Sequence, residues 1–107
     1  MDEKKKVSVV MCTYNGEKYI REQIDSILTQ TYPIYELIIQ DDGSTDNTVA
    51  ILREYEAQNS NITVFQNQVN VGFNENFKSA IAKAKGDYIA ISDQDDIWYP
   101  KKIEKQI

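Results

Sequence analysis

Five aspartates carry the chemistry open to this sequence. Asp41 and Asp42 sit side by side after one short apolar run, and Asp93, Asp95 and Asp96 crowd the stretch DQDD after another. Carboxylates that close repel one another, and each has its pKa raised unless a cation or a ligand's donors compensate. The 107 residues include no histidine and a single cysteine, Cys12. Ser-His and Cys-His nucleophile systems and a His-rich zinc site are therefore excluded, and so is an internal disulfide. The remaining ligands are hard oxygens, which favour Mg2+ or Mn2+, ions that usually keep positions open for substrate phosphates. The chemistry indicated is a divalent ion held by DQDD and bridged to a diphosphate. Asp42 would accept hydrogen bonds from a base or ribose, and Tyr14 would offer a ring for stacking.

Those residues need a scaffold that brings them together, and the apolar pattern supplies one. The continuous β-branched run VSVVMC, residues 7–12, suits a parallel strand covered on both faces. Ile20, Ile24, Ile27 and Leu28 then recur at helical spacing over residues 18–29, after an Asn15-Gly16 turn. Leu37 to Ile39 form a second strand that ends in QDDGSTDNT, where Asp46 can cap a helix carrying Val49, Leu52 and Tyr55. ITVF at 62–65 is a third strand. A third helix follows Asn70 and Gly72, with Phe73, Phe77, Ala80, Ile81 and Ala84 on one core-facing side, and Gly86 stops it. YIAIS at 88–92 is the fourth strand, and a charged helical stub follows Pro100.

The expected fold is α/β, a three-layer Rossmann-like parallel sheet of about four strands with three helices and a short C-terminal helical stub. Residues 1–107 form one domain, without repeats or linkers. In such sheets ligands bind outside the carboxyl ends of the strands. That rule puts Cys12, Thr13 and Tyr14, Asp41 and Asp42, Gln66 and Asn67, and Asp93, Asp95 and Asp96 on one rim. With 12 basic and 17 acidic residues the net charge is −5, which argues against a nucleic-acid surface. No apolar run approaches the roughly 20 residues of a membrane span, and no secretory signal is visible.

Three stretches together resemble the opening of the inverting family 2 of nucleotide-sugar glycosyltransferases, which have the GT-A fold. They are VSVVMCTYNGEKYIREQIDSILTQTY, ELIIQDDGSTDNT and NVGFNENFKSAIAKAKGDYIAISDQDD, in order and with natural spacing. The resemblance implies that Cys12, Thr13 and Tyr14 line the nucleotide base and that Asp42 reads the base edge; Asn67 joins the nucleotide-binding set by its place on the same rim. It implies that Asp93 and Asp95 are the D-x-D pair, Asp93 nearer the ribose and Asp95 on the metal, with Asp96 an alternative metal ligand. The donor implied is a UDP- or dTDP-sugar, and the acceptor a glycan or lipid-linked glycan. The place implied is the cytoplasm, at the inner face of the membrane for the intact enzyme. Many relatives carry an arginine after the Asn-x-Gly turn, where this sequence has Phe77 and Lys78. The family also places its general base downstream of the D-x-D stretch, beyond Ile107, so the expectation is the leaving-group half of a transferase, without turnover of its own.

Other readings are weaker. The DQDD stretch fails as an EF-hand, because Ile97 and Trp98 stand at the fifth-ligand and glycine positions. A phospho-accepting receiver domain expects an acidic pair after the first strand, where Thr13 and Tyr14 stand. Cys12 reads as a small packed residue, and Trp98 as packed against the stub. A non-catalytic nucleotide- or metal-binding fragment remains the alternative, with an open edge at the fourth strand available for a homodimer.

Overall fold

The computed structural model describes residues 5–92 and 97–106, and strands and helices alternate along them as the apolar pattern requires. The order is β1 (Val7–Thr13), α1 (Ile20–Leu28), β2 (Glu36–Asp41), α2 (Thr48–Gln58), β3 (Ile62–Gln66), α3 (Phe73–Ile81), β4 (Tyr88–Ser92) and α4 (Lys102–Gln106). The four strands form one parallel sheet in the order β3-β2-β1-β4. β1, the most apolar run, is central and buried along its whole length. Because side chains alternate across a strand, its residues divide between two cores. Val7, Val9 and Met11 meet Ile20, Ile24 and Ile27 of α1, Leu52 of α2, and Trp98 and Ile103 at the C-terminal end. Val10 and Cys12 meet Ile38 with Phe77 and Ala80 of α3 on the other face. The result is the expected three-layer α/β architecture, and Trp98 packs beside the stub as the sequence suggested.

Register lines up the carboxyl ends. Thr13 pairs with Asp41, Asp41 with Gln66, and Met11 with Ser92. Asp41 thus closes β2 as a strand residue, and the turn begins at Asp42.

Two expectations need correction. Phe73 is not core. It is 63% exposed at the first turn of α3 and touches Phe77 edge to face, with ring centroids 4.7 Å apart. α3 lies over β1 and β2, so its first turn overhangs a shallow groove toward Ile91 instead of facing a covering layer. Nor does Gly86 stop the helix, which ends at Ile81. Gly86 instead lies hard against β1, where a Cβ would stand 2.6 Å from Ser8 Oγ and 2.7 Å from Lys6 O. Its N–H donates to Ser8 Oγ at 2.7 Å, and that hydroxyl donates to Glu36 Oε2 at 2.6 Å. The glycine lets the chain enter β4 at hydrogen-bonding distance from β1, which a side chain would forbid.

Replacing Gly86 with alanine should therefore lower the unfolding free energy by about 1–3 kcal/mol, the usual cost of forcing extra volume into packed structure. Urea midpoints at constant slope measure it. An unchanged midpoint would show that the strand yields there without cost.

Candidate functional site

The loops at the carboxyl ends are tied to one another mainly by side chains bonding to backbone. Asn15, at φ 50°, adopts the left-handed conformation that asparagine tolerates. From there its Oδ1 accepts Thr45 N at 2.8 Å, and its own N–H donates to Ser44 Oγ at 2.8 Å. Gly16 N donates to Thr48 Oγ1 at 2.8 Å. Asp46 Oδ1 accepts Thr48 N at 2.9 Å, so Asp46 does serve the start of α2, although the residue next to the helix is Asn47. The β1–α1 and β2–α2 loops are thereby sewn into one platform.

Asp41 and Asp42 stand at its centre and serve opposite sides. Asp41 is fully buried. Its Oδ1 accepts Thr13 Oγ1 and Ser44 Oγ, each at 2.6 Å, and its Oδ2 accepts Ser44 N at 2.8 Å and Gly43 N at 3.1 Å. Asp42 turns toward α3. Its Oδ1 accepts Val71 N at 2.8 Å and Asn67 Nδ2 at 2.9 Å, and its Oδ2 accepts Gly72 N at 3.0 Å. Burial alone would push this carboxyl's pKa up. The three donors outweigh burial and hold it below the ordinary carboxylate range. Asp42 is thus an anion at neutral pH, fixed by the loop that it organises.

A chain of amides extends this arrangement. Asn67 Nδ2 also donates to Asn76 Oδ1 at 2.6 Å, and Asn76 Nδ2 donates to Gln40 O at 3.0 Å. Gln40 Nε2 returns to Asn67 Oδ1 at 2.8 Å, and Lys83 Nζ donates to Gln40 Oε1 at 2.9 Å. Asn76 is 1% exposed and was missed at the sequence level. Its signal was there to read, because it sits on the apolar stripe of α3 four residues before Ala80, where an unpaired amide would be costly.

Cys12 lies at this junction. Burial pushes its thiol up to about 12, and the negative charge of Asp42 adds to the effect against a smaller opposing bond from Asn76. It stays a thiol at neutral pH, which suits packing and not nucleophilic attack.

Cys12, Thr13, Asp42 and Asn67 are thus brought to one edge, and Tyr14 follows directly with its ring partly exposed. Asp93, Asp95 and Asp96 lie outside the described residues; β4 ends just before them at Ser92, on the same edge of the sheet. Among the described residues no group of three His, Cys, Asp or Glu side chains is placed to hold a metal ion. By donor chemistry the three aspartates fit a hard divalent cation.

A sequence profile described as "Glycosyl transferase family 2" matches residues 8–107. The chain is similar to a putative glycosyltransferase of Bacillus subtilis, EpsE, with 44% identity over 103 residues, 95% of this chain and 37% of that protein. Among solved structures it is similar to S. aureus TarS 1-349 in complex with UDP, at TM-score 0.84 and 32% identity, covering 94% of this chain and 30% of that one. It is also similar to the mannosyltransferase PcManGT from Pyrobaculum calidifontis in complex with GDP-Man and Mn2+, at TM-score 0.81 and 28% identity, covering 90% and 29%. The chain spans well under half the length of these relatives.

Asp42 generates a pH prediction. Its lowered folded-state pKa means that its stabilisation is complete above the unfolded value of about 4 and is lost as pH falls through the folded value. Asp42→Asn should cost about 2–4 kcal/mol at pH 7, by leaving donors facing an amide, and should flatten the acid limb of stability. Urea unfolding between pH 7 and pH 3 measures both, and parallel pH curves for the two proteins would refute the assignment.

Proposed function

This chain belongs to glycosyl transferase family 2, and from that premise we propose that it is the nucleotide-diphospho-sugar-binding part of a metal-dependent, inverting glycosyltransferase. The observation that carries the reading is Asp42, a buried anion held on the rim by three donors. A carboxylate offers about four acceptor positions, so among the described residues one remains on Oδ2. One acceptor position suits the single imide N–H of uracil or thymine. Guanine presents adjacent donors and would ask for two. A UDP- or dTDP-sugar is the donor that this position favours, and a neighbour of the same fold has been solved with UDP.

Thr13 and Tyr14 frame the base, with the Cys12 thiol packed beneath, and Asn67 holds the Asp42 carboxylate in its orientation. Asp93 is assigned to the ribose, and Asp95 or Asp96 to Mg2+ or Mn2+; a second neighbour has been solved with Mn2+. When bound, the ion supplies positive charge to the leaving diphosphate. An acceptor hydroxyl of a glycan or lipid-linked glycan would attack the anomeric carbon with inversion, and the base for that step is assigned beyond Ile107. The 107 residues alone are therefore expected to bind without turning over. No helix among the described residues is long and apolar enough to cross a membrane. The proposed place of action is the cytoplasm, at the inner membrane face.

A second reading, self-association, is favoured by one observation. Tyr88, Ile89 and Ile91 on the edge strand β4 are each close to half exposed, with no charged or proline residue in the strand to discourage pairing. Sedimentation velocity showing only monomer at high concentration would dispose of it.

Calorimetry tests the main reading. UDP should bind saturably with Mn2+ present and more tightly than GDP or ADP, and Asp95→Ala or Asp96→Ala should lose about tenfold or more of that affinity. Absence of UDP binding at any metal concentration would refute the proposal.

A further inference from the structure

The amides behind Asp42 form a hydrogen-bonded chain whose direction is fixed at its ends. An amide side chain can turn over and exchange donor for acceptor, so a chain of them can run either way unless groups of one kind only stand at its ends. Lys83 is such a group. Its ammonium has no acceptor, and it donates to Gln40 Oε1 at 2.9 Å, which leaves Gln40 Nε2 to face Asn67 Oδ1 at 2.8 Å. Asn67 Nδ2 is then directed to Asp42 Oδ1 at 2.9 Å, and a carboxylate anion only accepts. The second branch agrees with the first. The backbone oxygen of Gln40 only accepts, so Asn76 gives its Nδ2 to that oxygen at 3.0 Å and its Oδ1 to Asn67 Nδ2 at 2.6 Å. Gln40 is 4% exposed and Asn76 1%, so bulk water offers neither amide an alternative partner.

The consequence falls on Asp42. Of the roughly four acceptor positions on a carboxylate, Val71 N and Asn67 Nδ2 fill the two on Oδ1, and Gly72 N fills one on Oδ2. Val71 and Gly72 donate through backbone, whereas Asn67 donates through a side chain that must itself be held. We propose that Lys83 and Asn76 are positioning residues for base recognition, and that Asn67, held by them, sets base specificity by closing one oxygen of Asp42 to the base. The proposal rests on the nucleotide reading above. Guanine presents its ring N–H and its amino N–H side by side and needs an open position on each oxygen of a carboxylate. Uracil and thymine carry one imide N–H between two carbonyls and need one position in all. With Asn67 in place, only Oδ2 is open among the described residues. Without it Oδ1 opens as well, and Asp42 offers the pair that guanine needs. A water standing in for the amide is displaced by a base, whereas an amide tied to Gln40 and Asn76 is not.

Calorimetry with UDP and with GDP, each with Mn2+ present, tests this, because the two ligands share ribose and diphosphate and differ in the base alone. Asn67→Leu should tighten GDP binding about tenfold and lower the preference for UDP at least as much. Loosening of the fold alone does not produce a tightening. Lys83→Met and Asn76→Leu should move the preference in the same direction, while Lys83→Arg, which keeps a pure donor, should retain that of the wild type. The side-chain amide resonance of Asn67 should shift in Lys83→Met and stay in place in Lys83→Arg. If the buried Asn76→Leu variant does not fold by circular dichroism, the half-buried Lys83 decides the positioning role. GDP binding no tighter in folded Asn67→Leu overturns the specificity role. An unmoved Asn67 resonance with unchanged UDP preference in Lys83→Met overturns the positioning role. Wild type that binds neither nucleotide sinks the nucleotide reading and this role with it, whereas wild type that prefers UDP beside variants that keep the preference sinks this role alone.

Discussion

Successive side chains along a β-strand point to opposite faces of the sheet, and where β2 ends at Asp41 and the turn begins at Asp42 both side chains are carboxylates. Everything at the carboxyl edge follows from satisfying the two. Asp41, turned toward α1 and α2, collects hydroxyl and backbone donors from Thr13, Gly43 and Ser44. Asp42, turned toward α3, collects Asn67, Val71 and Gly72. A buried carboxylate left without donors is strongly unfavourable, so the loops after β1, β2 and β3 have little freedom to adopt other arrangements. The acidic dipeptide thus acts as a pair of staples before any ligand is considered. The same bonds that fix the loops keep Asp42 ionised, which unites the structural and the chemical use of one side chain.

The scaffold was legible because its signals are local and redundant. Runs of β-branched residues marked the strands, helical spacing of Ile20, Ile24 and Ile27 marked α1, and YIAIS was delimited to the residue. That Cys12, Thr13, Asp41, Asp42 and Asn67 meet at the carboxyl edge was also legible, since parallel topology fixes that much. What failed was any inference that needed to know what lies across a face. Phe73 fits the apolar stripe of α3 by spacing alone, yet the layer it would need is absent beside β4 among the described residues. Gly86 looks like a helix stop in one dimension, and only the pairing of β4 with β1 shows that it is a close approach of two backbones.

The deeper loss concerns buried amides. Asn76, Gln23 and Gln30 each occupy a position where periodicity expects an apolar residue, and a reading by hydrophobic pattern passes over them as noise. In the folded protein they are the groups that join elements distant in sequence. Asn76 joins α3 to β2, Gln23 joins α1 to β4, and Gln30 joins the end of α1 to α4. An amide has the useful property of donating and accepting without net charge, so it can tie backbone to backbone inside a core without the desolvation cost of an ion. A polar residue on an apolar stripe is therefore a signal in its own right, of a long-range tie whose partner the sequence does not reveal.

The distribution of charge completes the argument. A chain of net charge −5 carries its most concentrated acidic stretch directly after Ser92, the last residue of β4, and keeps Asp42 ionised. Self-repulsion of that kind destabilises a fold unless something compensates. For Asp41 and Asp42 the compensation is internal, seven donors shared between the two carboxylates. The stretch 93–96 lies outside the described residues. Lys83, the cation drawn into the amide chain at this end, is spent on Gln40 and Ser79, with its ammonium over the Phe65 ring. Arg53 is engaged by Glu56 and by the backbone of Val64. Under the proposed function, compensation for the second acidic cluster comes from a cation and the phosphates it carries. Asp42 then serves twice, as a staple for the loops and, under the proposed function, as the acceptor that meets the base.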